Sequence, residues 1–325
     1  MNKRDVIAIG GSTGAIDAVK RLCRDLPPDF AATLFIVIHV GAHGVDRLAD
    51  IFGADAPFPV TTATEGEVMR RGHAYVAPAD HHLLIIDGVA RLGRGPRENM
   101  ARPAIDPLFR SVAMSYGPRA IAVVLTGMLN DGAAGLADVK RCGGTTVVQS
   151  PADAVAPDMP WGALSASDID YRAPLSQMAA LLADIATLDA DPPVLIPSDI
   201  RIEADIALGR NVDSRIIAGI ADPVSLSCPA CGGVLSQMRQ GPPLRFRCQV
   251  GHGYTAESLA SEKEDTVDEA LRVALRIMEE RAVLTEKMAN DAGAAGRSAA
   301  AASYRERSRE SRAYADTLRR GIEEM

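Results

Sequence analysis

Three side chains in this sequence have the types and settings that hydrolytic chemistry needs: Ser12, His39 and Asp131. Ser12 sits in Gly10-Gly11-Ser12-Thr13-Gly14, a G-x-S-x-G turn whose glycines let a chain bend tightly enough to project a hydroxyl from a strand end towards a helix N-terminus. Backbone N–H groups at such a helix start, that of Thr13 among them, lack intrahelical acceptors and can receive a developing oxyanion. Taken alone, the pattern also fits a tight connection or a phosphate-binding turn. It does not fit dinucleotide binding or a Walker loop, because position 12 is Ser where a middle glycine should fall and no Gly-Lys-Ser/Thr follows. A histidine can take the serine proton, and a carboxylate behind it can fix the imidazole tautomer and steady its positive charge, so the three together point to acyl transfer to water. Read singly, His39 suits a hydrogen-bonded structural role and Asp131 a helix N-cap.

The elements that must position them follow from the apolar pattern. Val6 to Ile9 reads as a buried strand and Ile16 to Leu26 as a helix; Thr33 to Ile38 is a second strand, ending at His39. Val45 to Ala54 reads as a helix. Ile105 to Tyr116 is another, followed by a strand at Ala120 to Leu125, the loop carrying Met128 and Asp131, a helix at Ala134 to Cys142 and a strand at Gly144 to Gln149. All three candidates therefore fall at carboxyl ends of strands, where an open parallel sheet collects its reacting groups. Between these halves, Pro59 to Thr62, His73 to Pro78, His82 to Asp87 and Val89 to Leu92 read as a β-rich insertion, with a hairpin turn at Asp87-Gly88. His73, His81 and His82 within it lack metal-ligand spacing and are read as structural, and His43 as a solvated loop residue.

A chain of 325 residues, 47% apolar and 24% charged, is long enough for about two domains with a sizeable core. Its net charge of −7 argues against nucleic-acid binding, and no run suits a signal peptide or a membrane span, so a cytoplasmic protein is expected.

Several stretches together resemble the catalytic domain of the chemotaxis protein-glutamate methylesterases, the CheB family. They are Gly11-Ser12-Thr13-Gly14, Ile38-His39, Gly72 to Pro78, Arg102-Pro103 with Asp106 and Leu108-Phe109, and Leu125-Thr126-Gly127-Met128 with Asn130 to Gly135, in register from about residue 5 to 187. The resemblance implies an α/β fold with a doubly wound, mainly parallel sheet, and a Ser12, His39, Asp131 triad. It also implies an oxyanion hole from the N–H groups of Thr13 and Met128, and hydrolysis of glutamate γ-methyl esters on chemoreceptors with release of methanol. Deamidation of receptor glutamines is implied as a second activity of some members. The sequence departs from the family pattern at Gly14-Ala15, at His39-Val40-Gly41 and at Arg102-Pro103-Ala104. The sequence begins at the catalytic domain, so control by an attached receiver domain is not expected.

Beyond the esterase region, taken as residues 1–188, residues 189–226 read as a linker and 227–256 as a zinc-ribbon-like module. Cys228, Cys231, Cys248 and His252 form C-x2-C-x16-C-x3-H, two ligands from each of two turns, which suits a closed, structural zinc site. Cys23 and Cys142 read as inert core thiols. Residues 257–325 read as a helical tail, with Val267, Leu271, Ala274, Leu275 and Met278 on one stripe and Tyr304, Ala315, Leu318 and Ile322 on another, separated by Asp291 to Ala302. Such a hairpin either packs on itself or offers a docking surface for a receptor helix, a separate receiver protein or a second copy of the chain. The expected substrate is a methylated chemoreceptor and the expected cofactor structural zinc, with none for catalysis. A catalytically silent signalling scaffold, or an esterase or amidase acting on another protein, stays open as an alternative.

Overall fold

The computed structural model describes residues 3–39, 47–210 and 214–324. The Val40-Gly41 departure, His43 and the expected helix start at Val45 lie outside them.

The chain runs β1 (Val6–Gly11), α1 (Ala15–Asp25), β2 (Thr33–Ile38), α2 (Leu48–Gly53), β3 (Val60–Thr62), β4 (Ala74–Val76), β5 (His82–Ile86), β6 (Val89–Gly93), α3 (Ile105–Tyr116), β7 (Ala120–Val124), α4 (Ala133–Arg141), β8 (Thr145–Gln149), α5 (Asp158–Ala166), β9 (Tyr171–Ala173) and α6 (Leu175–Thr187). Seven strands form one sheet in the order β3-β4-β2-β1-β7-β8-β9, every pair parallel. β1, β2 and β7 are buried along their whole lengths, which is why they read as unbroken apolar runs. The expected β-rich insertion is smaller than its sequence suggests. β3 and β4 join the edge of the main sheet, and only β5 and β6 form a separate antiparallel hairpin. Three-residue strands carry too little periodicity to be assigned to a sheet from sequence.

The stretch read as a linker is structured. Residues 189–226 carry α7 (Ser198–Leu208), α8 (Ser214–Ile220) and most of β10 (Ala221–Ser227). Strand β10 opens a four-stranded antiparallel sheet with β11 (Val234–Met238), β12 (Arg245–Cys248) and β13 (Gly253–Thr255). Helix α7 and this second sheet share a buried ionic cluster with α3. Arg110 contacts Glu98 at 2.8 Å, Asp138 at 3.1 Å, Glu203 at 3.4 Å and Asp106 at 3.6 Å, while Arg245 and Arg247 reach Glu203 at 2.7 and 2.8 Å. Burial would push the Glu203 carboxyl up, but three guanidinium groups hold it well below the usual range. Residues Met1 to Leu259 accordingly form one compact unit.

The second unit, Ala260 to Met325, holds most of α9 (Ala256–Ala294) and all of α10 (Ser298–Glu323). The break between them is only Ala295 to Arg297, shorter than expected. The buried seam of this hairpin runs through Ala282, Thr285, Ala289, Ala292, Ala301, Ser308, Ser311 and Ala315 rather than through the larger residues of the expected stripes. Small side chains let two helix backbones approach closely, and Ser308 Oγ donates to the carbonyl of Ala282 across the seam at 3.0 Å. Among the described residues, no helix is long and apolar enough to cross a membrane.

Candidate active site

Strand order brings the three candidates together. β1 lies between β2 and β7, so the chain leaves β1 in one direction for β2 and returns on its other side as β7; a crevice forms at that reversal, at the carboxyl edge. Ser12 follows β1, His39 follows β2 and Asp131 lies in the turn after β7. The backbone fixes the first two: Ser12 N–H donates to the Thr126 carbonyl at 3.0 Å, and His39 N–H to the Gly11 carbonyl at 3.2 Å. Thr126 Oγ donates to the Thr13 carbonyl at 2.9 Å, so the loop after β7 grips the serine turn. Gly127 lies against Ser12; a Cβ there would fall 3.0 Å from the Ser12 Cβ and 1.9 Å from Met159 Sδ, so only glycine fits.

His39 Nε2 bonds Asp131 Oδ2 at 2.7 Å. That leaves Nδ1 as the ring nitrogen open to a serine hydroxyl. Asp131 is 2% exposed and receives three further donors: Ile105 N–H at 2.6 Å, Asn99 Nδ2 at 2.9 Å and Asp106 N–H at 3.4 Å. Ile105 and Asp106 open α3, so the carboxylate caps a helix other than the one its own loop leads into. Gly10 permits that approach, since a Cβ on it would come within 2.2 Å of Ile105 Cγ2. Burial alone would raise the Asp131 carboxyl, but its bond to His39 and the donors from Ile105 and Asn99 hold it below the ordinary range. Its neighbour Asp106 is pushed up to about 7, by burial and then by the charge of Asp131.

Thr13 is exposed and Met128 is 58% exposed. Among the described residues neither backbone N–H has an intrachain acceptor, as an oxyanion hole requires. Exposed apolar side chains of Val155 and Trp161 lie on the segment that follows β8. A cavity of about 520 Å³ beside Leu129 and Asn130 is walled by Trp161, Leu244 and Glu257. Another, of about 580 Å³, lies at the amino end of β7 against Tyr116 and Arg119, away from all three candidates.

His73, His81 and His82 have structural partners. His73 bonds Thr61 Oγ at 2.8 Å and stacks on Tyr75, and His81 accepts from Arg94 at 2.9 Å. Buried His82 bonds the Pro96 carbonyl through Nε2 and the Ala104 N–H through Nδ1, which defines a neutral tautomer just ahead of α3. Cys23 and Cys142 are buried, with thiols pushed up to about 12 by burial, and are therefore inert.

The second sheet brings Cys228, Cys231, Cys248 and His252 together, their donor atoms all within 4.8 Å of one another. Cys231 and Cys248 sulfurs are 3.7 Å apart, and His252 Nδ1 is 3.5 Å from Cys248 Sγ and 3.8 Å from Cys228 Sγ. Those spacings are close to the edges, about 3.5–3.8 Å, of a tetrahedron built with the usual thiolate and imidazole bond lengths to zinc, so the donor set can hold a metal ion.

Residues to which the sequence reading gave no role in the site are Asn99, Asp106, Thr126 and Ile105, the last acting through its backbone. Asp106 and Thr126 lie in stretches that carry the family resemblance, and an acidic residue is stabilised at a helix N-terminus such as that of α3; nothing pointed to Asn99.

Against known proteins, the family model described as CheB methylesterase matches residues 7–182. A protein-glutamate methylesterase/protein-glutamine glutaminase of Methanosarcina mazei is 35% identical over 184 residues, 54% of this chain and 50% of the relative. One of Burkholderia lata is 38% identical over 188 residues, 56% and 52%. The chain thus spans about half the length of the curated relatives it matches. The crystal structure of the Thermotoga maritima CheB methylesterase catalytic domain aligns with a TM-score of 0.54 at 30% identity, covering 57% of this chain and 98% of that domain.

Proposed function

Because this chain belongs to the CheB methylesterase family, we propose that it is a cytoplasmic serine hydrolase that removes methyl groups from glutamate γ-methyl esters of chemoreceptors. The observation that carries this reading is the His39–Asp131 bond at the strand ends beside Ser12. Ser12 Oγ attacks the ester carbonyl as its proton passes to His39 Nδ1, and Asp131 steadies the imidazolium through Nε2. The N–H groups of Thr13 and Met128 receive the oxyanion. Collapse expels the methoxy group, which takes the proton from His39 and leaves as methanol. Water then gives its proton to His39 and attacks the acyl-enzyme, releasing the glutamate carboxylate and restoring Ser12. A glutamine side chain enters the same sequence with ammonia as the leaving group, consistent with the double name of the relatives. The exposed Met128, Val155 and Trp161 offer apolar footing for a protein substrate.

Cys228, Cys231, Cys248 and His252 hold zinc in this reading. With four protein donors the ion cross-links two turns of the second sheet and has no open position for substrate. Methanol release from a methylated receptor fragment tests the assignment. The full chain should release it and Ser12→Ala should not; equal release by both would overturn the serine mechanism.

A further inference from the structure

The side-chain amide of Asn99 has both its donor and its acceptor ends engaged, and they face different parts of the molecule. Its Nδ2 donates to Asp131 Oδ1 at 2.9 Å and to Asp106 Oδ2 at 3.1 Å. Its Oδ1 accepts from Thr255 N–H at 2.9 Å and Ser258 Oγ at 3.1 Å. The amide orientation is unambiguous, because carboxylates on one side chiefly accept and a backbone N–H on the other can only donate. The residue is 7% exposed and its backbone is left-handed, with φ of 49°, a conformation that Asn tolerates better than most side chains. Its own N–H is held by the Gly253 carbonyl at 2.8 Å. A second link runs alongside: Thr255 Oγ donates to Asn130 Oδ1, and Asn130 Nδ2 donates to Glu257 at 2.7 Å. Asn130 directly precedes Asp131. Every one of these anchors lies in Gly253 to Ser258, immediately after the candidate metal ligand His252.

We infer that Asn99 is a positioning residue for the Ser12, His39, Asp131 reaction, and that the segment Gly253 to Ser258 at the edge of the Cys/His-bearing sheet holds it in place. The C-terminal extension is then required for a competent triad, acting through Asn99 on the carboxylate that orients His39. This rests on the hydrolase reading above. The amide supplies Asp131 with a donor that opposes its burial, and fixes the oxygen not bound to His39, so that the other stays aimed at Nε2.

The test uses the full chain and three variants, Asn99→Asp, Asn99→Ala and Ser258→Ala, with two readouts. One is kcat and KM for a small aryl ester; the other is the low-field proton signal of the His39 Nε2–H bond to Asp131, identified by its loss in His39→Gln. Asn99→Asp keeps the shape of Asn but turns a donor into a third carboxylate facing Asp106 and Asp131. A residue that merely fills space would tolerate it better than alanine. The positioning role demands the reverse: about a 100-fold loss of kcat for Asn99→Asp, about 10-fold for Asn99→Ala and about 3-fold for Ser258→Ala, with KM within about twofold. The proton signal should shift or vanish in the same order. An unaltered signal in Asn99→Asp and Ser258→Ala would overturn the inference whether or not the ester turns over. A native chain that keeps the signal but hydrolyses no ester would instead count against the hydrolase reading, and the signal in the variants would still decide the role of Asn99.

Discussion

Helix α3 serves two buried polar clusters four residues apart, and they are built to opposite ends. At its N-terminus, Asp131 gathers His39, Asn99 and two backbone N–H groups, and one side of that cluster opens through partly buried His39 to the crevice. One turn further on, Arg110 is enclosed by four carboxylates, which Arg245 and Arg247 help to neutralise. The first cluster has unspent capacity at one atom, His39 Nδ1, and that is where chemistry can occur. The second also has unpartnered atoms, Arg245 Nε and Arg247 Nε, but they are buried out of reach, and the cluster joins α3, α7 and the second sheet. Burial of charge by itself therefore does not distinguish a site from a joint; an unsatisfied, accessible member does.

The sharpest way to break the comparison is to remove the reacting groups. Ser12→Ala and His39→Ala should each reduce ester hydrolysis by about 10³-fold or more, and Ser12→Ala should leave the urea-unfolding midpoint close to native, because its side chain lies on the open side. Arg110→Met should do the opposite to stability, costing about 3–5 kcal/mol in urea unfolding, since it leaves buried carboxylates uncompensated. An activity loss without destabilisation in Arg110→Met would erase the distinction between site and joint.

Much of the open cluster was legible. Ser12, His39 and Asp131 each follow a fully buried strand whose apolar run marks where it ends, and the sheet order does the rest. The cradle around Asp131 was not legible, because its members come from residues 99, 105 and 106, with Thr255 and Ser258 behind Asn99, and no local pattern relates them. The closed cluster misled in a different way. Asp199 and Glu203 on α7 are buried by pairing with arginines, so the alternation of charged and apolar residues there mimics a solvated segment and hides a packed helix. In the tail, apolar size was a poor guide, since the seam that buries is made of Ala, Ser and Thr.

Asp106 touches both clusters and gives the comparison a pH signature. With its carboxyl raised to about 7 in the fold, it is protonated in the folded chain and ionised in the unfolded chain between about pH 4 and 7. Its contribution to stability is thus fully present below about pH 4 and is lost as pH rises towards 7. Glu98 and Glu203, held low by their arginines despite burial, contribute in the opposite sense and lose their share as pH falls. Asp106→Asn should therefore gain about 2–3 kcal/mol relative to the native chain between pH 5 and 8, measured by urea unfolding at each pH. A constant difference across that range would show that Asp106 does not titrate between the clusters. The smallest effect belongs to neither. Arg319→Ala, which removes an exposed pair with Glu279 on the helical hairpin, should leave the urea-unfolding midpoint at the native value.

The closed ionic cluster also bears on heredity. Glu98, Arg110 and Asp138 belong to the region that matches the esterase family, whereas Glu203, Arg245 and Arg247 lie beyond it. The ion pairs run across that boundary, from Arg110 to Glu203, from Arg247 to Glu98 and from Arg141 to Asp199. A recombination that moved the extension onto another esterase, or an esterase onto another extension, would deliver an unpaired ion to a dry interior. The two parts are bound to travel through descent as a pair, and substitutions at these positions should be accepted only in compensating sets.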